Sequence, residues 1–467
     1  MRYLLAGMGV FTAVVAAACG STSRVSIIDD GTSSGQPGDE AGTGIFDPNA
    51  GQDAKPACVG LQCKQVDCGG GPSTSLSGIV WDPAGKNPVY NAVVYVPNTP
   101  VDPIKHGAVC DSCGGAPVSG SPVVTTLTDA NGAFKLENVP VGEDIPLIIQ
   151  VGKWRRQVTL PAAPKACQDN PITNPDLTRL PRNKAEGDMP LIALTTGCDP
   201  IHTLMEKIGI DKSEFSTGTG TGMVHVYAGQ GGTTVVPGAT SAYAFWGSAT
   251  TMLKYDIIIN ECECTPYARD TMGPAYANIK TYLDAGGRVF NSHYHLNFFG
   301  SSSENGGKAD PELQSAATWT LWSGTSGAST GPFLIDTSFP KGKAMDDWLT
   351  NLATASKWST PTAPLKKTPK GQIQTTNTGD IGGTKPGISQ RWIYPSSGAG
   401  AVYVSINTPI SKPAADRCGR AVGTGLHVGN GSTTTMSEQE AALEFMFFDL
   451  ASCVIDDAEP PKPPPPK

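Results

Sequence analysis

Three consecutive segments between residues 255 and 295 decide the fold: YDIIIN (255–260), GPAYANIKTYLDAGG (273–287) and RVFNSHYH (288–295). The first is a short apolar run of the kind found in buried strands. The second is helical in pattern and ends in glycine, which commonly terminates a helix. The third is again strand-like. Strand, helix and strand in this order predict a parallel pair of strands joined by a crossover helix.

The same alternation extends on both sides of these segments. Further strands are predicted at LIALT (191–195), AVYVSIN (401–407) and GRAVGTGLHV (419–428), and further helices at DPIHTLMEKIGI (199–210), SAYAFWGSATTMLKY (241–255), AMDDWLTNLATA (344–355) and SEQEAALEFMFFDLAS (437–452). Ser437 and Glu440 fit a capping box at the start of the last helix. We therefore expect residues 186–455 to form a doubly wound, mostly parallel α/β domain.

Residues 58–185 follow a different pattern, with short alternating apolar segments, turn residues between them and no helical period. The predicted strands are LSGIVWD (76–82), NAVVYVP (91–97), VVTTLTD (123–129), GAFKLENV (132–139), IPLIIQV (145–151) and RRQVTL (155–160). Short strands at this spacing predict a β-sandwich. The expected fold class is therefore an all-β part followed by an α/β part.

The sequence of this first part resembles the carboxypeptidase-regulatory-like family, in GIVWDPAGKNPVYNAVVYVP (78–97) and TLTDANGAFKLENVPVG (126–142). The positions that match the family pattern are Gly78, Val80, Asp82, Gly85, Ala92, Val94, Val96, Thr128, Asp129, Gly132, Phe134, Pro140 and Gly142. The resemblance implies a transthyretin-like β-sandwich with a cysteine-bearing insertion between Pro97 and Val123. It implies no activity, because such domains usually serve as spacers or adhesion modules.

The order of segments in the second part resembles the class I glutamine-amidotransferase-like fold. GRAVGTGLHV (419–428) loosely follows the late motif of its trehalose-utilisation-type subgroup. Glutaminases of this fold carry a nucleophilic cysteine in a sharp turn after a strand that begins with two glycines. Here the strand after Gly286 and Gly287 leads to His293 instead. The expected nucleophile is absent, so glutaminase activity is not carried over from the resemblance.

Four titratable residues lie at or near the carboxyl ends of predicted strands, the edge at which open parallel sheets bind ligands. They are Glu261, His293, His295 and His427, in a chain with only six histidines. On a continuing strand, His293 and His295 would point the same way. Imidazoles with a carboxylate could bind a divalent metal with an open position, or act as a general base without metal. Alternatively, these residues are hydrogen-bonded in a crevice and have no chemical role.

Twelve cysteines indicate an oxidising compartment. The candidates for disulfide bonds are Cys58, Cys63, Cys68, Cys110, Cys113, Cys167, Cys198, Cys262, Cys418 and Cys453. The six from Cys58 to Cys167 are expected to form three bridges, although the spacing of Cys110 and Cys113 also occurs in redox and zinc sites. Cys198 could meet the Cys262 and Cys264 pair at one edge, and Cys418 is expected to pair with Cys453. One thiol, from Cys262 or Cys264, remains. An exposed thiol beside Glu261 and Glu263 would have a raised pKa and be a poor nucleophile.

Arg2 precedes an apolar run from Leu4 to Ala18, which is shorter than the ~20 residues of a membrane span and typical of a secretory signal. Small residues followed by Cys19 resemble a bacterial lipoprotein signal, which implies residues 1–18 as signal peptide and acylation of Cys19. Gly20 after that cysteine favours the outer membrane, with the protein periplasmic or surface-exposed. The alternative is an ordinary cleaved signal with a chance cysteine.

Composition indicates two further segments, one before and one after the folded parts. Residues 19–57 are rich in Gly, Ser, Asp and Pro and are expected to be a disordered tether, while residues 456–467 form a proline-rich tail. The net charge is −8 and charged residues make up 16% of the chain, below the usual ~25%. No basic excess is available to neutralise phosphates, so nucleic-acid binding is not expected.

The function expected from these patterns is a surface-displayed binding or adhesion module without catalysis. Its partners would be the bilayer, through Cys19, and an envelope polysaccharide or protein. Tryptophans between residues 319 and 392 could stack on sugars or anchor loops in the core. The alternative function is a hydrolase-like enzyme that uses the histidine and carboxylate site, with or without a divalent metal, on a carbohydrate or peptide.

Overall fold

The structure is a computed structural model. It describes residues 58–111, 113, 118–232, 234–263, 272–302, 306–321, 329–330, 333–354, 372–373, 376–377, 379–395, 400–427 and 436–466. The predicted signal peptide, Cys19 and the tether lie outside these residues. The described residues belong to one compact unit. Within them, no helix has both the length and the apolar character needed to cross a membrane.

The amino-terminal part consists of two small sheets and one short helix. The elements are β1 (Ser75–Ile79), β2 (Val93–Pro97), β3 (Pro122–Leu127), β4 (Ala133–Leu136), β5 (Pro146–Val151), β6 (Trp154–Thr159), β7 (Asp169–Ile172) and α1 (Pro175–Thr178). One sheet has the order β4-β1-β7 and the other β3-β2-β5-β6. All pairs are antiparallel except β1 with β7. The strands predicted between residues 76 and 160 are confirmed.

Side chains on β2 alternate between two buried environments. Val94 and Val96 pack into the large hydrophobic cluster, whereas Tyr95 packs on the opposite face of the sheet with Ile148 and Val118. Successive residues of a strand point to opposite faces, which explains the alternation. Val118 belongs to the insertion after Pro97, so the insertion covers the second face of this sheet.

The next part of the chain alternates strands and helices as predicted. It contains β8 (Ile192–Thr195), α2 (Ile201–Lys207), β9 (Phe215–Thr217), β10 (Val224–Tyr227), α3 (Ala242–Trp246), α4 (Ala249–Met252), β11 (Ile257–Asn260), α5 (Gly273–Asp284) and β12 (Arg288–Ser292). A 3-10 helix, His293–Phe298, follows β12 directly. The strand predicted to continue through His295 therefore ends at Ser292.

The remaining elements extend the same sheet and cover it. They are α6 (Pro311–Ser315), β13 (Ala317–Trp319), β14 (Ser329–Thr330), β15 (Phe333–Ile335), α7 (Pro340–Thr354), β16 (Gln372–Ile373), β17 (Thr376–Asn377), β18 (Ile381–Thr384), β19 (Ser389–Pro395), β20 (Tyr403–Thr408), β21 (Gly419–Thr424) and α8 (Glu438–Ala451). The capping box of Ser437 and Glu440 at the start of α8 is confirmed.

Ten of the described strands form one mixed sheet with the order β16-β15-β19-β20-β21-β12-β11-β8-β10-β9. The six strands from β21 to β9 are mutually parallel. The four strands from β16 to β20 continue the sheet in antiparallel pairs. Antiparallel pairs at β13–β18 and β14–β17 lie beside it. The fold is therefore mixed α/β with several sheets.

Helix α8 joins the amino-terminal sheets to the mixed sheet. Its residue Phe445 stacks on Tyr90 with 5.5 Å between ring centroids, and Phe447 and Phe448 meet Trp154 edge to face at 6.3 and 6.2 Å. One hydrophobic cluster thus contains side chains from both parts. Its buried members include two of the tryptophans considered for sugar stacking, Trp348 and Trp392.

The disulfide bonds differ from the predicted pairing. Cys58–Cys63 and Cys68–Cys167 lie within the amino-terminal part, but Cys110–Cys418 and Cys113–Cys453 tie the insertion to β21 and to the end of α8. The expected third local bridge and the expected Cys418–Cys453 bridge are therefore wrong. The insertion crosses to the end of the sheet where Cys418 and Cys453 lie, and spacing along the chain does not reveal this crossing.

Candidate functional site

The candidate site lies where neighbouring parallel strands β8, β11, β12 and β21 end. Asp199 follows β8, Cys262 follows β11, His293 follows β12 and His427 follows β21. These strands are adjacent in the sheet, so their carboxyl ends meet at one edge. The prediction that chemistry-bearing side chains gather at this edge is confirmed, although the set of residues differs.

A thiol and two imidazoles converge at this edge. One ligand atom each from Cys262, His293 and His427 lies within 4.8 Å of the others. Cys262 Sγ is 3.4 Å from His293 Nδ1, and the two imidazole centroids are 4.5 Å apart. Cys262 is buried, whereas the His427 side chain is 54% exposed. The centre is thus closed on the sheet side and open to solvent at His427.

Each imidazole also contacts a carboxylate through a second ring nitrogen. His427 Nδ1 is 3.0 Å from Asp199 Oδ1, and His293 Nε2 is 3.3 Å from Asp380 Oδ2. Asp199 in turn accepts a hydrogen bond of 2.5 Å from Ser292 Oγ. Because the carboxylates lie beside these nitrogens, His293 Nδ1 and His427 Nε2 are the atoms left for the thiol or for a ligand.

These contacts set the proton affinities of the three groups. Burial raises the pKa of the Cys262 thiol, but hydrogen bonds from His293 and His427 outweigh burial, and the pKa is lowered overall. Burial lowers the pKa of His293, but its bonds to Asp380 and Cys262 raise it overall. The hydrogen bond to Asp199, followed by the bond to Cys262, raises the pKa of His427 to about 10. The arrangement therefore favours a thiolate.

Cys262 departs from two expectations. It was a disulfide candidate, but among the described cysteines it is a free thiol, while Cys198 is disulfide-bonded. A leftover thiol at Cys262 or Cys264 was correctly expected. Its expected exposure and raised pKa are wrong, because Glu261 and Glu263 turn away from it. Glu261 and Glu263 each accept backbone N–H groups of neighbouring loops.

Glu261 lies next to Cys262 in the chain but does not join the three-residue centre. Its fully buried carboxylate accepts hydrogen bonds from Gly197 N at 2.8 Å and His202 N at 2.9 Å, and lies 3.2 Å from His202 Nδ1. Burial raises its pKa above the usual value. The carboxylate thereby fixes the loop that carries Asp199, which makes Glu261 a positioning residue.

The same loop approaches the thiol-bearing segment at backbone distance. Cys198 N donates a hydrogen bond of 2.6 Å to the carbonyl of Cys262. A Cβ at Gly197 would lie 2.0 Å from that carbonyl oxygen, so only glycine permits this approach. The position of Asp199 relative to Cys262 is thus set by backbone contacts as well as by Glu261.

His295 lies outside the centre too. It is 2% exposed, stacks on Phe298 at 5.4 Å and meets Trp246 edge to face at 4.9 Å. Burial lowers its pKa to about 3, so it is neutral. The expectation that His293 and His295 point the same way is wrong, because a 3-10 helix has three residues per turn and separates positions two apart.

The sequence-based set of Glu261, His293, His295 and His427 is therefore only half assembled, with His293 and His427 together. Cys262, Asp199 and Asp380 were missed. A signal existed for Cys262, since it follows the buried strand YDIIIN at the same edge as the histidines. Asp380 gives no such signal, because it lies beside a short antiparallel strand far along the chain.

No family model matches the sequence, and no curated protein matches it. The resemblances to carboxypeptidase-regulatory-like and amidotransferase-like proteins therefore stay predictions.

Proposed function

We propose that this protein is a metal-dependent hydrolytic enzyme whose centre is formed by Cys262, His293 and His427. The observation that carries the proposal is the pairing of each imidazole with a carboxylate on one side and the thiol on the other. Metal-binding histidines almost always bond a carboxylate or carbonyl through the second ring nitrogen, which fixes the ring and its tautomer. Asp199 and Asp380 fill that role here.

The distances suit zinc. Zinc–sulfur bonds of ~2.3 Å and zinc–nitrogen bonds of ~2.0–2.1 Å at a tetrahedral angle separate the two ligand atoms by about 3.5 Å. Cys262 Sγ and His293 Nδ1 are 3.4 Å apart. A zinc ion held by these three side chains would leave a fourth position open, as in catalytic zinc sites. It would supply a water with a pKa lowered to about 7 for hydrolysis.

A second candidate is a cysteine hydrolase without metal. Cys262, His427 and Asp199 reproduce the thiol, imidazole and carboxylate order of nucleophilic cysteine enzymes. The lowered pKa of Cys262 favours this alternative, since the thiolate is the nucleophile. The second imidazole, His293 with its own carboxylate, has no required role in that mechanism, which is why we favour the metal.

The experiment is metal analysis of mature protein purified without an affinity tag. We expect about one zinc or similar ion per chain, and uptake of Co²⁺ into apoprotein with a thiolate-to-cobalt charge-transfer band. Cys262→Ser should abolish the band and weaken metal binding by at least about tenfold. His106→Gln, at a histidine that contacts Asp256 instead, is the matched control and should change neither.

The outcomes separate three functions. Stoichiometric metal whose removal abolishes hydrolysis of a peptide or glycoside panel supports the metal enzyme. Protein that takes up no Co²⁺, but loses hydrolytic activity when iodoacetamide alkylates Cys262, supports the cysteine hydrolase. Protein with neither property would favour the surface-binding or adhesion role predicted from the sequence.

The finer architecture and the location belong to the same proposal. We infer a transthyretin-like sandwich followed by a doubly wound amidotransferase-like domain, in a lipoprotein acylated at Cys19 and anchored to the outer membrane. The four disulfides among the described residues favour export to an oxidising compartment. Mass spectrometry of the mature amino-terminal peptide tests the anchor, because an unmodified or uncleaved terminus contradicts it.

A further inference from the structure

A second site lies at the opposite edge of the parallel strands. A cleft of about 480 Å³ opens where β11 and β12 begin, between those strands, the strand β6 and the insertion after Pro97. Its volume is in the range of small-molecule sites. The charged side chains that line it are those of Lys105, Lys153, Arg155, Arg288, Asp102, Asp111 and Asp256.

Arg288 is the informative residue of this cleft. It is 6% exposed, and its guanidinium donates to four backbone carbonyls, those of Gly286, Cys418, Asp111 and Ser452. All four of these acceptors in the described part of the chain are uncharged carbonyl oxygens. The two contacts from Nη2 are long, at 3.4 Å each, so this nitrogen is available to a stronger acceptor.

A neighbouring arginine of the same sheet, Arg420, forms the ion pairs with carboxylates that Arg288 lacks. Arg420 is the register partner of Arg288 on β21 and is also buried. Its guanidinium forms ion pairs with Asp449 at 2.7 Å and Asp457 at 2.9 Å. Those carboxylates raise the pKa of Arg420. Burial lowers the pKa of Arg288 to about 10, and the charge of Asp111 offsets only part of that lowering.

The buried carboxylate of the cleft, Asp256, is already paired. Asp256 is 2.6 Å from Lys153 Nζ and 2.7 Å from His106 Nδ1, and it accepts the N–H groups of Gly107 and Leu191. Arg155 is likewise paired, with Asp188 at 2.8 Å. Among the described residues no carboxylate forms an ion pair with Arg288, and the charge of Asp111 offsets its burial only in part. A buried cation without a paired anion is costly, and a bound carboxylate or phosphate would relieve that cost.

We propose that this cleft binds a small organic anion whose carboxylate or phosphate group pairs with Arg288. The exposed part of the lining carries Lys105, which adds a second positive charge, together with the carboxylates of Asp102 and Asp111. The proposal does not depend on the metal centre. β11 and β12 separate the two sites by the length of a strand, at ~3.3 Å per residue, so a ligand in the cleft does not reach Cys262.

The test is calorimetric titration of the full mature protein with citrate and with inorganic phosphate at low ionic strength, and with glycerol as an uncharged probe. We expect binding of at least one anion and none of glycerol. Arg288→Gln should weaken anion binding by about tenfold or more, the effect of losing a charge-assisted hydrogen bond. Added salt should weaken binding at the rim further.

Two further variants keep the test decisive if Arg288→Gln fails to fold. Lys105→Glu, at an exposed rim position, should weaken anion binding several-fold, whereas Lys165→Glu, at an exposed lysine outside the cleft, should not. The proposal is overturned if neither anion binds, or if Lys105→Glu binds as tightly as Lys165→Glu. Anion binding that persists in Cys262→Ser supports a site independent of the metal centre, and binding lost there overturns it.

Discussion

A buried pair of carboxyl groups links the amino-terminal sheets to α8 and makes stability depend on pH. Asp82 is fully buried, and Glu444 is 1% exposed. Lys86 N donates to Asp82 Oδ1 at 2.7 Å, and Asn87 Nδ2 donates to Glu444 Oε2 at 2.7 Å. Burial raises the pKa of Asp82 from its usual 3.8 to about 7. Burial and the charge of Asp82 raise the pKa of Glu444 well above its usual value.

The sign of the pH effect follows from where Asp82 holds its proton. Between pH 3.8 and 7 the folded protein keeps the proton while the unfolded chain has released it, so stability falls as pH rises. At 1.36 kcal/mol per pKa unit, the raised pKa corresponds to about 4 kcal/mol. The loss is complete above pH 7, and the stability is fully present below the unfolded pKa.

Asp82→Asn should remove the part of this dependence that comes from Asp82, because the amide keeps the acceptor for Lys86 N and has no charge to bury, while the part from the buried Glu444 remains. We expect the variant to match the wild type at pH 4 and to exceed it at pH 8 by up to ~4 kcal/mol. Urea midpoints measured from pH 4 to pH 8 check this. Asp144→Asn, at an exposed aspartate, is the control. A wild type that loses no more stability with rising pH than Asp82→Asn would refute the reasoning.

The remaining predictions concern the site and the crossing disulfides. Asp199→Asn should lower metal affinity by about 10–100-fold, measured by competition with a chromophoric chelator, and unchanged affinity would contradict its bracing role. His295→Phe should leave metal content unchanged, since that ring packs among aromatic side chains; loss of metal by elemental analysis would show that it is a ligand. Replacing both Cys110 and Cys418 by alanine should lower the free energy of unfolding by about 2–4 kcal/mol, measured by urea denaturation. Deleting both crossing bridges should lower it more, because each closes nearly the same long loop and the loop stays closed while one bridge remains. Equal losses would contradict this.

The elements that could be predicted are those whose sequence pattern is local, such as an apolar run, a helix that ends at glycine or a capping box. YDIIIN became β11, the helix ending at the glycine pair became α5, and the capping box began α8 where expected. The antiparallel extension by β15 and β19 was missed. Its strands are held by partners far along the chain, and no local period distinguishes such a strand from a loop.

The end of β12 shows how one local break redirects a site. A strand through His295 would have presented both histidines on one face. The chain instead turns into a 3-10 helix after Ser292, with Leu296 and Phe298 buried, and this turns His295 into the aromatic core. Burial of these neighbours outweighs the strand propensity of the preceding residues. The sequence pattern alone does not show which of these two contributions is larger.

The free thiol of Cys262 is unexpected in a protein predicted to be exported to an oxidising compartment. In an oxidising compartment an unpaired thiolate is vulnerable, and its susceptibility rises as its pKa falls. Cys262 has a lowered pKa and lies beside the half-exposed His427, yet it is unpaired while Cys198, whose backbone contacts it, is disulfide-bonded. A structural cysteine gains nothing from this arrangement, because paired imidazoles promote the reactive form. The two imidazoles by themselves lower the pKa of the thiol, and a metal bound as proposed would in addition occupy the thiolate and shield it from oxidants.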